Sequence, residues 1–238
     1  MDNHQGPDIV RHFFSGTGGT YDHIVNLFTL GFDRSWKRKI LEKIPAGSAR
    51  IMDQACGTGI LTFRIAERFP NARIVGVDVT AEYLRVAQAK AGRRGIRNIE
   101  FILGRAEEPL SGRVFDCVVS SYLAKYAELE ILIPNIRAML QDGGTLVMHD
   151  FTYPEKRPFT AVWECYVRLM RLFGSLRYPQ WRNVFDGLPP LLRETAWVGE
   201  VAQALERNRF SDIAIQPLTF GSAAIVTARK GREGGRIR

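Results

Sequence analysis

The sequence predicts an α/β protein built on a doubly wound parallel sheet. Short apolar runs alternate with helical patterns through the first two thirds of the chain, which is how βα units read. The first run, Ile51-Met52-Asp53-Gln54-Ala55-Cys56-Gly57-Thr58-Gly59-Ile60, ends in an acid, then small residues, then a helical pattern. That is the signature of a buried strand turning tightly into a helix, with Gly57 and Gly59 free to take angles closed to other residues. Phe115–Ser121 is an apolar run that fits a strand buried on both faces.

Taken in order, residues 1–19 are polar, glycine-rich at their end, and expected to be mobile. Tyr21 to Phe28 carries apolar residues at helical spacing. Leu30-Gly31-Phe32 breaks that helix, and Asp33 is expected to cap a second one through Trp36, Ile40 and Leu41. Pro45-Ala46-Gly47 ends it, so two helices precede the first strand. A crossover helix over 61–69 follows the glycine turn. Ala72-Arg73-Ile74-Val75-Gly76-Val77-Asp78 is the second strand, and Thr80 caps a helix over 81–91. Strand three spans 98–104, a helix spans 128–140, Asp142-Gly143-Gly144 is its cap and turn, and strand five spans 145–150.

There the alternation stops. An amphipathic helix over 158–173 carries Phe159, Trp163, Tyr166 and Phe173 with Arg168 and Arg171. Residues 174–190, with Pro179, Pro189 and Pro190, read as irregular, and 194–208 as a helix. Residues 213–218 and 223–228 read as a closing hairpin-like pair around Gly221.

The bulk composition bounds the function. The chain has 238 residues, 45% hydrophobic and 24% charged, enough for one α/β domain with a sizeable core. Cys56, Cys117 and Cys165 are scattered without metal-ligand spacing, so a reduced compartment is expected and a zinc site is not. The first residues show no signal-peptide pattern, and no apolar run is long enough to span a bilayer. The net charge of +8 invites an anionic partner. No nucleic-acid module accompanies it, so no specific nucleic acid is expected. The basic cluster Arg229, Lys230, Arg232, Arg236 and Arg238 suits peripheral contact with an anionic membrane face.

The glycine turn lacks the third glycine of a dinucleotide site, and no second catalytic domain follows it, which argues against a nicotinamide dehydrogenase. Asp78 stands about 20 residues after the turn, where a carboxylate accepts both hydroxyls of a ribose. Its alternative is a helix N-cap, for which Thr80 is better placed. The Asp-x-Ala-x-Gly-x-Gly stretch resembles motif I of the class I S-adenosylmethionine (SAM) methyltransferases, with Ala55 where a first glycine often sits.

Further motifs extend the likeness. They are Tyr21-Asp22-x-x-x-Asn26, Leu30-Gly31-Phe32-Asp33-Arg34-x-Trp36-Lys37, Gly104-x-Ala106-Glu107, Phe115-Asp116, Gly143-Gly144 and Leu218-Thr219-Phe220-Gly221-x-Ala223-Ala224-Ile225. In this order the chain resembles, over roughly its whole length, the menaquinone/ubiquinone biosynthesis C-methyltransferase family. The resemblance implies a single-domain, Rossmann-like, seven-stranded methyltransferase sheet. Residues 1–46 would be lid and substrate helices and 47–238 the core, with 158–208 a helical substrate cap and 229–238 a basic tail. It implies SAM as donor and methyl transfer to a ring carbon of a lipid-tailed quinol. A cytoplasmic location, with peripheral contact at the inner face of the membrane, is a separate expectation, and a homodimer is a candidate assembly.

The residues follow from that likeness and from the strand ends. Tyr21 lies in the lid near the donor's methionine end. Asp53, Ala55, Gly57 and Gly59 form the turn, with Asp53 placing it or meeting the donor's amino group. Asp78 and Val79 meet the ribose and adenine side, with Ala106, Glu107 and Ser120 completing the donor set. Open α/β sheets bind ligands at the carboxyl ends of their strands. Strand four therefore offers Tyr122, Lys125 and Tyr126, and strand five His149, Asp150 and Tyr153. His149 is a candidate base, its alternative being a hydrogen-bonded core histidine, and Lys125 a candidate to steady a phenolate. Tyr122 completes the catalytic candidates. Tyr126, Asp150, Tyr153, Trp163 and Tyr166 are the substrate-binding candidates. Strand alternation predicts that only one of His149 and Asp150 faces the cleft.

The departures bear on the acceptor. Arg105 replaces an acid that meets the adenine amino group, and an arginine cannot accept that bond. Lys125-Tyr126 replaces Arg-Asn, residues 191–198 replace a tyrosine motif, and Thr227 lies near a usual histidine position. Two other readings stand beside the leading one. One is methylation of another small hydrophobic acceptor at oxygen or nitrogen. The other is a SAM-binding scaffold of a quinone-biosynthesis complex without turnover.

Overall fold

The computed structural model describes residues 7–231. Its centre is a sheet of β1 (Arg50–Gln54), β2 (Arg73–Asp78), β3 (Ile99–Leu103), β4 (Phe115–Ser121), β5 (Leu140–Phe151), β6 (Phe210–Leu218) and β7 (Ala223–Lys230). Among the described residues these seven strands form one sheet in the order β3-β2-β1-β4-β5-β7-β6. The first five are parallel, and β7 is antiparallel to both β5 and β6. The sheet is thus mixed, with the expected closing pair inserted as its last two strands.

Alternation along the strands sorts the core into two layers. Met52, Val118, Leu146 and Met148 face α6 (Leu129–Met139) and α9 (Trp197–Arg207). Ile51, Cys117, Val119 and Val147 face α3 (Phe32–Lys43) and α4 (Ile60–Arg68). The fully buried strand interiors explain the unbroken apolar runs. The β1–β4 junction is where the strand order reverses, so the crevice for ligands opens above the carboxyl ends of these two strands.

Several local expectations are corrected. Residues 7–14 of the segment expected to be mobile form α1 (Pro7–Phe14), so three helices precede β1 with α2 (Tyr21–Phe28) and α3. Asp33 is not a cap: Gly31 holds the N-cap at φ 76°, and Asp33 is buried inside α3. Asp142-Gly143-Gly144 lies within β5, where Gly143 at φ 74° absorbs the irregularity. The chain over 174–190 is helical. α7 (Arg157–Arg177) runs through Gly174, where a Cβ would come within 2.6 Å of Phe185. α8 (Arg182–Glu194) then carries Pro189 and Pro190 inside it. Burial of Val184, Phe185 and Leu192 outweighs the hydrogen bonds those prolines forgo. Arg229 and Lys230 belong to β7, with Lys230 donating to Leu140 O at 2.7 Å. The remainder of the expected basic tail, from residue 232, lies outside the described residues.

Candidate active site

The turn after β1 is built from left-handed backbone: Ala55 at φ 54°, Gly57 at 57° and Gly59 at 86°. Gly59 is required twice over, since a Cβ there would sit 2.6 Å from the Phe63 ring. Asp78, at the end of β2, fixes this turn. Its Oδ2 accepts the Gly57 N–H and its Oδ1 the Thr80 N–H, both at 2.8 Å. Burial pushes the carboxyl up, and the two backbone donors pull it down. Thr80 occupies the N-cap of α5 (Ala81–Arg94), but its side chain makes no capping bond; the Asp78 carboxylate satisfies the N–H there instead. Two oxygens carry about four acceptor sites, so both retain capacity for a further donor.

A cleft opens above this turn. Ala55, Gly57, Asp78, Val79, Ala106 and Glu107 line it, closed over by Phe14, Tyr21, Tyr83, Tyr122 and Tyr126. Arg105 stands at its rim, with Glu107 at 3.7 Å and Glu128 at 3.4 Å. Three residues expected in the cleft do not line it. Asp53 lies beneath the turn and accepts the Thr62 hydroxyl at 2.6 Å; burial raises its carboxyl to about 7. Gly59 heads α4. Ser120 is fully buried, and its Oγ has no hydrogen-bond partner among the described residues.

The lid is pinned over the cleft. Glu82 accepts the N–H groups of Gly16 and Gly18, Thr17 and Tyr83 share a hydroxyl contact at 2.6 Å, and Asp22 pairs with Lys90 and Thr58.

A second, more apolar cavity of about 160 Å3 adjoins the first. Trp163, Tyr166, Met170 and Trp181 line it with Ile24, Phe28 and the α8 side chains Val184, Phe185 and Leu188. Phe14, Tyr21, Tyr122 and Tyr126 line both cavities, so the two meet at these four rings. Lys125 lines the apolar cavity at its β4 end. Its ammonium lies 2.5 Å from Asp150 Oδ1, and both side chains are excluded from water. Burial lowers the Lys125 pKa, and Asp150 opposes the shift. Tyr126 is 7% exposed, and its buried hydroxyl has no hydrogen-bond partner among the described residues. Burial, then Asp150, pushes this phenol well above its ordinary value, so it remains an O–H donor.

The remaining candidates sit behind the walls. The expectation that one of His149 and Asp150 faces the cleft is corrected: both are fully buried and neither lines either cavity. His149 is fully buried, with Nδ1 against Ser121 Oγ at 2.9 Å. Burial, then the Lys37 and Lys125 cations, pushes its pKa well below 6.5. It is a neutral imidazole out of reach of a ligand. Tyr153 donates to Glu164 at 2.9 Å and packs edge-on against Trp163, outside the cavity. Tyr122 lines both cavities, yet its hydroxyl is committed to Asp33.

Sequence reasoning missed Asp33 and Lys37 as site residues. They are four residues apart on one face of α3, joined at 2.9 Å, and Lys37 also donates to Ser121 at 2.6 Å. The i,i+4 spacing was the available signal; the burial was not. Phe14 and the α8 wall were missed because their segments read as unstructured.

Comparison with known proteins agrees with this geometry. The ubiE/COQ5 methyltransferase family matches residues 2–230. A demethylmenaquinone methyltransferase of Thermus thermophilus is 31% identical over 219 residues, covering 89% of this chain and 97% of the relative. The ubiquinone/menaquinone biosynthesis C-methyltransferase UbiE of Syntrophotalea carbinolica is 27% identical, covering 93% and 92%. Human N-acetylserotonin methyltransferase, solved with SAM, superposes with a TM-score of 0.62 at 16% identity, over 94% of this chain and 59% of that one. The N-methyltransferase NodS of Bradyrhizobium japonicum, solved with S-adenosylhomocysteine, gives 0.57 at 16% identity, over 83% and 87%. The chain belongs to the ubiE/COQ5 methyltransferase family and is a SAM-dependent methyltransferase.

Proposed function

We propose that the enzyme transfers the methyl group of SAM to a ring carbon of a demethylmenaquinol-like quinol. The observation that carries this reading is the junction of the two cavities. A polar, carboxylate-ended cleft meets an aromatic-lined cavity at Phe14, Tyr21, Tyr122 and Tyr126, and Lys125 lies on the wall of that cavity. The names of the curated relatives agree with this acceptor.

The first cleft fits the donor. Asp78, held by two backbone N–H groups, accepts the ribose hydroxyls with its spare lone pairs. Val79 and Ala106 supply flat apolar walls for the adenine, and Glu107 supplies the acceptor that Arg105 cannot. Asp53 acts from below by holding the turn through Thr62. Tyr21 closes the methionine end. SAM, when bound, supplies an electrophilic methyl group for in-line displacement.

The chain's own residues then orient the acceptor, exclude water and manage charge. The lid and the aromatic walls would hold the ring against the donor, since reacting atoms must approach to about 3–3.5 Å. The acceptor's phenolic proton, from a group near pKa 10, would be given to bulk water before the site closes, leaving the ortho carbon electron-rich. That carbon would take the methyl as the C–S bond breaks and S-adenosylhomocysteine leaves. The displaced ring proton would pass to water as aromaticity returns. The Lys125 ammonium, on the wall of the cavity, would stabilise the oxyanion. His149 takes no proton in this scheme, because it lines neither cavity. The net charge of +8 supports action at an anionic membrane face.

The test is transfer of labelled methyl from SAM into a panel of demethylated quinols, with mass spectrometry of the product. A ring-carbon methyl is expected. Confirmed SAM binding with no transfer to any quinol would overturn the reading and move the weight to another acceptor.

A further inference from the structure

Trp36 and Lys37 close a motif of the N-terminal region, and neither lines the two cavities of the site. Both are nonetheless buried, at 3% and 2% exposed. A buried ammonium needs a partner for each of its hydrogens. Lys37 finds them in three directions. Its Nζ donates to Asp33 Oδ1 at 2.9 Å and to Ser121 Oγ at 2.6 Å, and it lies 4.2 Å from the centre of the Tyr122 ring. Asp33 belongs to the same helix. Ser121 and Tyr122 do not: they are consecutive residues where β4 ends, beside the point at which the strand order reverses. Ser121 lines the first cleft, and Tyr122 lines both cavities.

These two residues have to be held. Tyr122 sits at φ 70°, a left-handed angle that strains any residue with a side chain. Its N–H donates to His149 O at 2.8 Å and its hydroxyl to Asp33 Oδ1 at 2.7 Å. Ser121 Oγ, which accepts from Lys37, also lies 2.9 Å from His149 Nδ1. The helix that supplies Lys37 is a fixed support. Its Ile40 is fully buried, and Trp36 Nε1–H donates to Thr219 Oγ1 at 2.7 Å, across to the crossing from β6 to β7. A buried ion pair is weak evidence for stability, since apolar residues of similar volume often serve as well. Here the cation's other two contacts both go to cavity walls, which gives it a use beyond stability.

We propose that Lys37 is a positioning residue for methyl transfer. It sets the Tyr122 ring at the junction of the two cavities, through Asp33 at the hydroxyl and directly at the ring face. It sets Ser121 in the wall of the first cleft. The methyl group must point from that cleft into the second cavity, so it passes the ring that Lys37 holds. The inference rests on the donor cleft of the proposed function and on no particular acceptor.

The test is the NMR resonance of SAM isotopically labelled at its methyl carbon, bound to the full chain, with SAM affinity measured by calorimetry. One variant is Lys37→Met with Asp33→Asn, which removes both charges and keeps the core filled. The other is Tyr122→Leu, which removes the ring. The aromatic junction should displace the wild-type methyl resonance from its free position, and Tyr122→Leu should return part of that displacement. The double variant should move the resonance the same way and broaden it, while SAM affinity stays within about threefold. Its kcat on any acceptor found by labelled-methyl transfer should fall by about tenfold or more with little change in KM for SAM, because small misplacement costs rate. A double variant whose bound methyl coincides with the wild type's would overturn the role of Lys37. So would one that loses SAM affinity by more than about tenfold, since the pair would then be framework of the donor cleft. A wild-type methyl left at its free position would instead fault the placement of the donor, and the inference would fall with it.

Discussion

Tyr122 donates its phenolic hydrogen to Asp33 Oδ1 at 2.7 Å, tying the loop after β4 to the lid helix α3. The same oxygen accepts Lys37 at 2.9 Å, and the Lys37 ammonium lies 4.2 Å from the centre of the Tyr122 ring. Tyr122 is held at φ 70°, stacked on Phe151 at 4.5 Å. A ring that lines both cavities is therefore set by residues of the lid, not by its own strand. Asp33→Ala should destabilise the protein by about 3–5 kcal/mol, because Lys37 would be left buried without its partner. A double-mutant cycle between Asp33→Asn and Tyr122→Phe should show coupling of about 0.5–3 kcal/mol in denaturant unfolding. Strict additivity would mean that the contact carries no energy of its own.

Asp78→Ala removes the carboxylate that grips Gly57 and Thr80 and faces the cleft proposed for the donor. Loss of charge-assisted bonds at about 1.5–3 kcal/mol each should weaken SAM binding by roughly a hundredfold. Asp78→Asn, which retains an acceptor, should lose less. Calorimetry that returned the wild-type affinity for Asp78→Ala would remove Asp78 from the donor site.

Lys125 and Asp150 are a buried ion pair, so deleting either alone leaves an unpaired charge and confounds rate with folding. The informative variant is Lys125→Met with Asp150→Asn, which removes both charges together. It should fold with near-native stability and bind SAM within about twofold of the wild type. Its kcat should fall by about tenfold or more if the ammonium steadies an oxyanion. Equal turnover would reduce the pair to packing.

The parallel core was legible because its strands are buried on both faces and its turns carry acids and glycines, which are local signals. Asp78 and the glycine turn were readable for the same reason. The lid was less so. Asp33 looks like a cap in sequence, since capping and burial both put an aspartate near a helix start, and only the packed tertiary structure separates them. α8 was hidden by Pro189 and Pro190, because propensity is a local prior that Val184, Phe185 and Leu192 override by burial. His149 and Asp150 both read as cleft residues at a strand end. That only the ion pair of Asp150, and not its side chain, reaches the cavity through Lys125 is a fact of the third dimension.

Asp53 gives a prediction in pH. Its carboxyl rises from an ordinary 3.8 to about 7 because burial penalises the charge, against the Thr62 hydrogen bond and the Lys37 cation that favour it. Between those two values the folded protein holds a proton that the unfolded chain has released. Stability from this group is therefore greatest at low pH, falls as pH rises from about 4, and reaches its floor above about 7. A rise of that size corresponds to a loss of about 4 kcal/mol as an order of magnitude. Asp53→Asn cannot ionise and still offers an oxygen to the Thr62 hydroxyl, so it should escape that loss. The measurement is denaturant unfolding of both proteins from pH 5 to pH 9. The variant should gain on the wild type as pH rises and be the more stable of the two at pH 8.5. Parallel curves would show that the Asp53 carboxylate is already charged at pH 5, with Lys37 and Thr62 outweighing its burial.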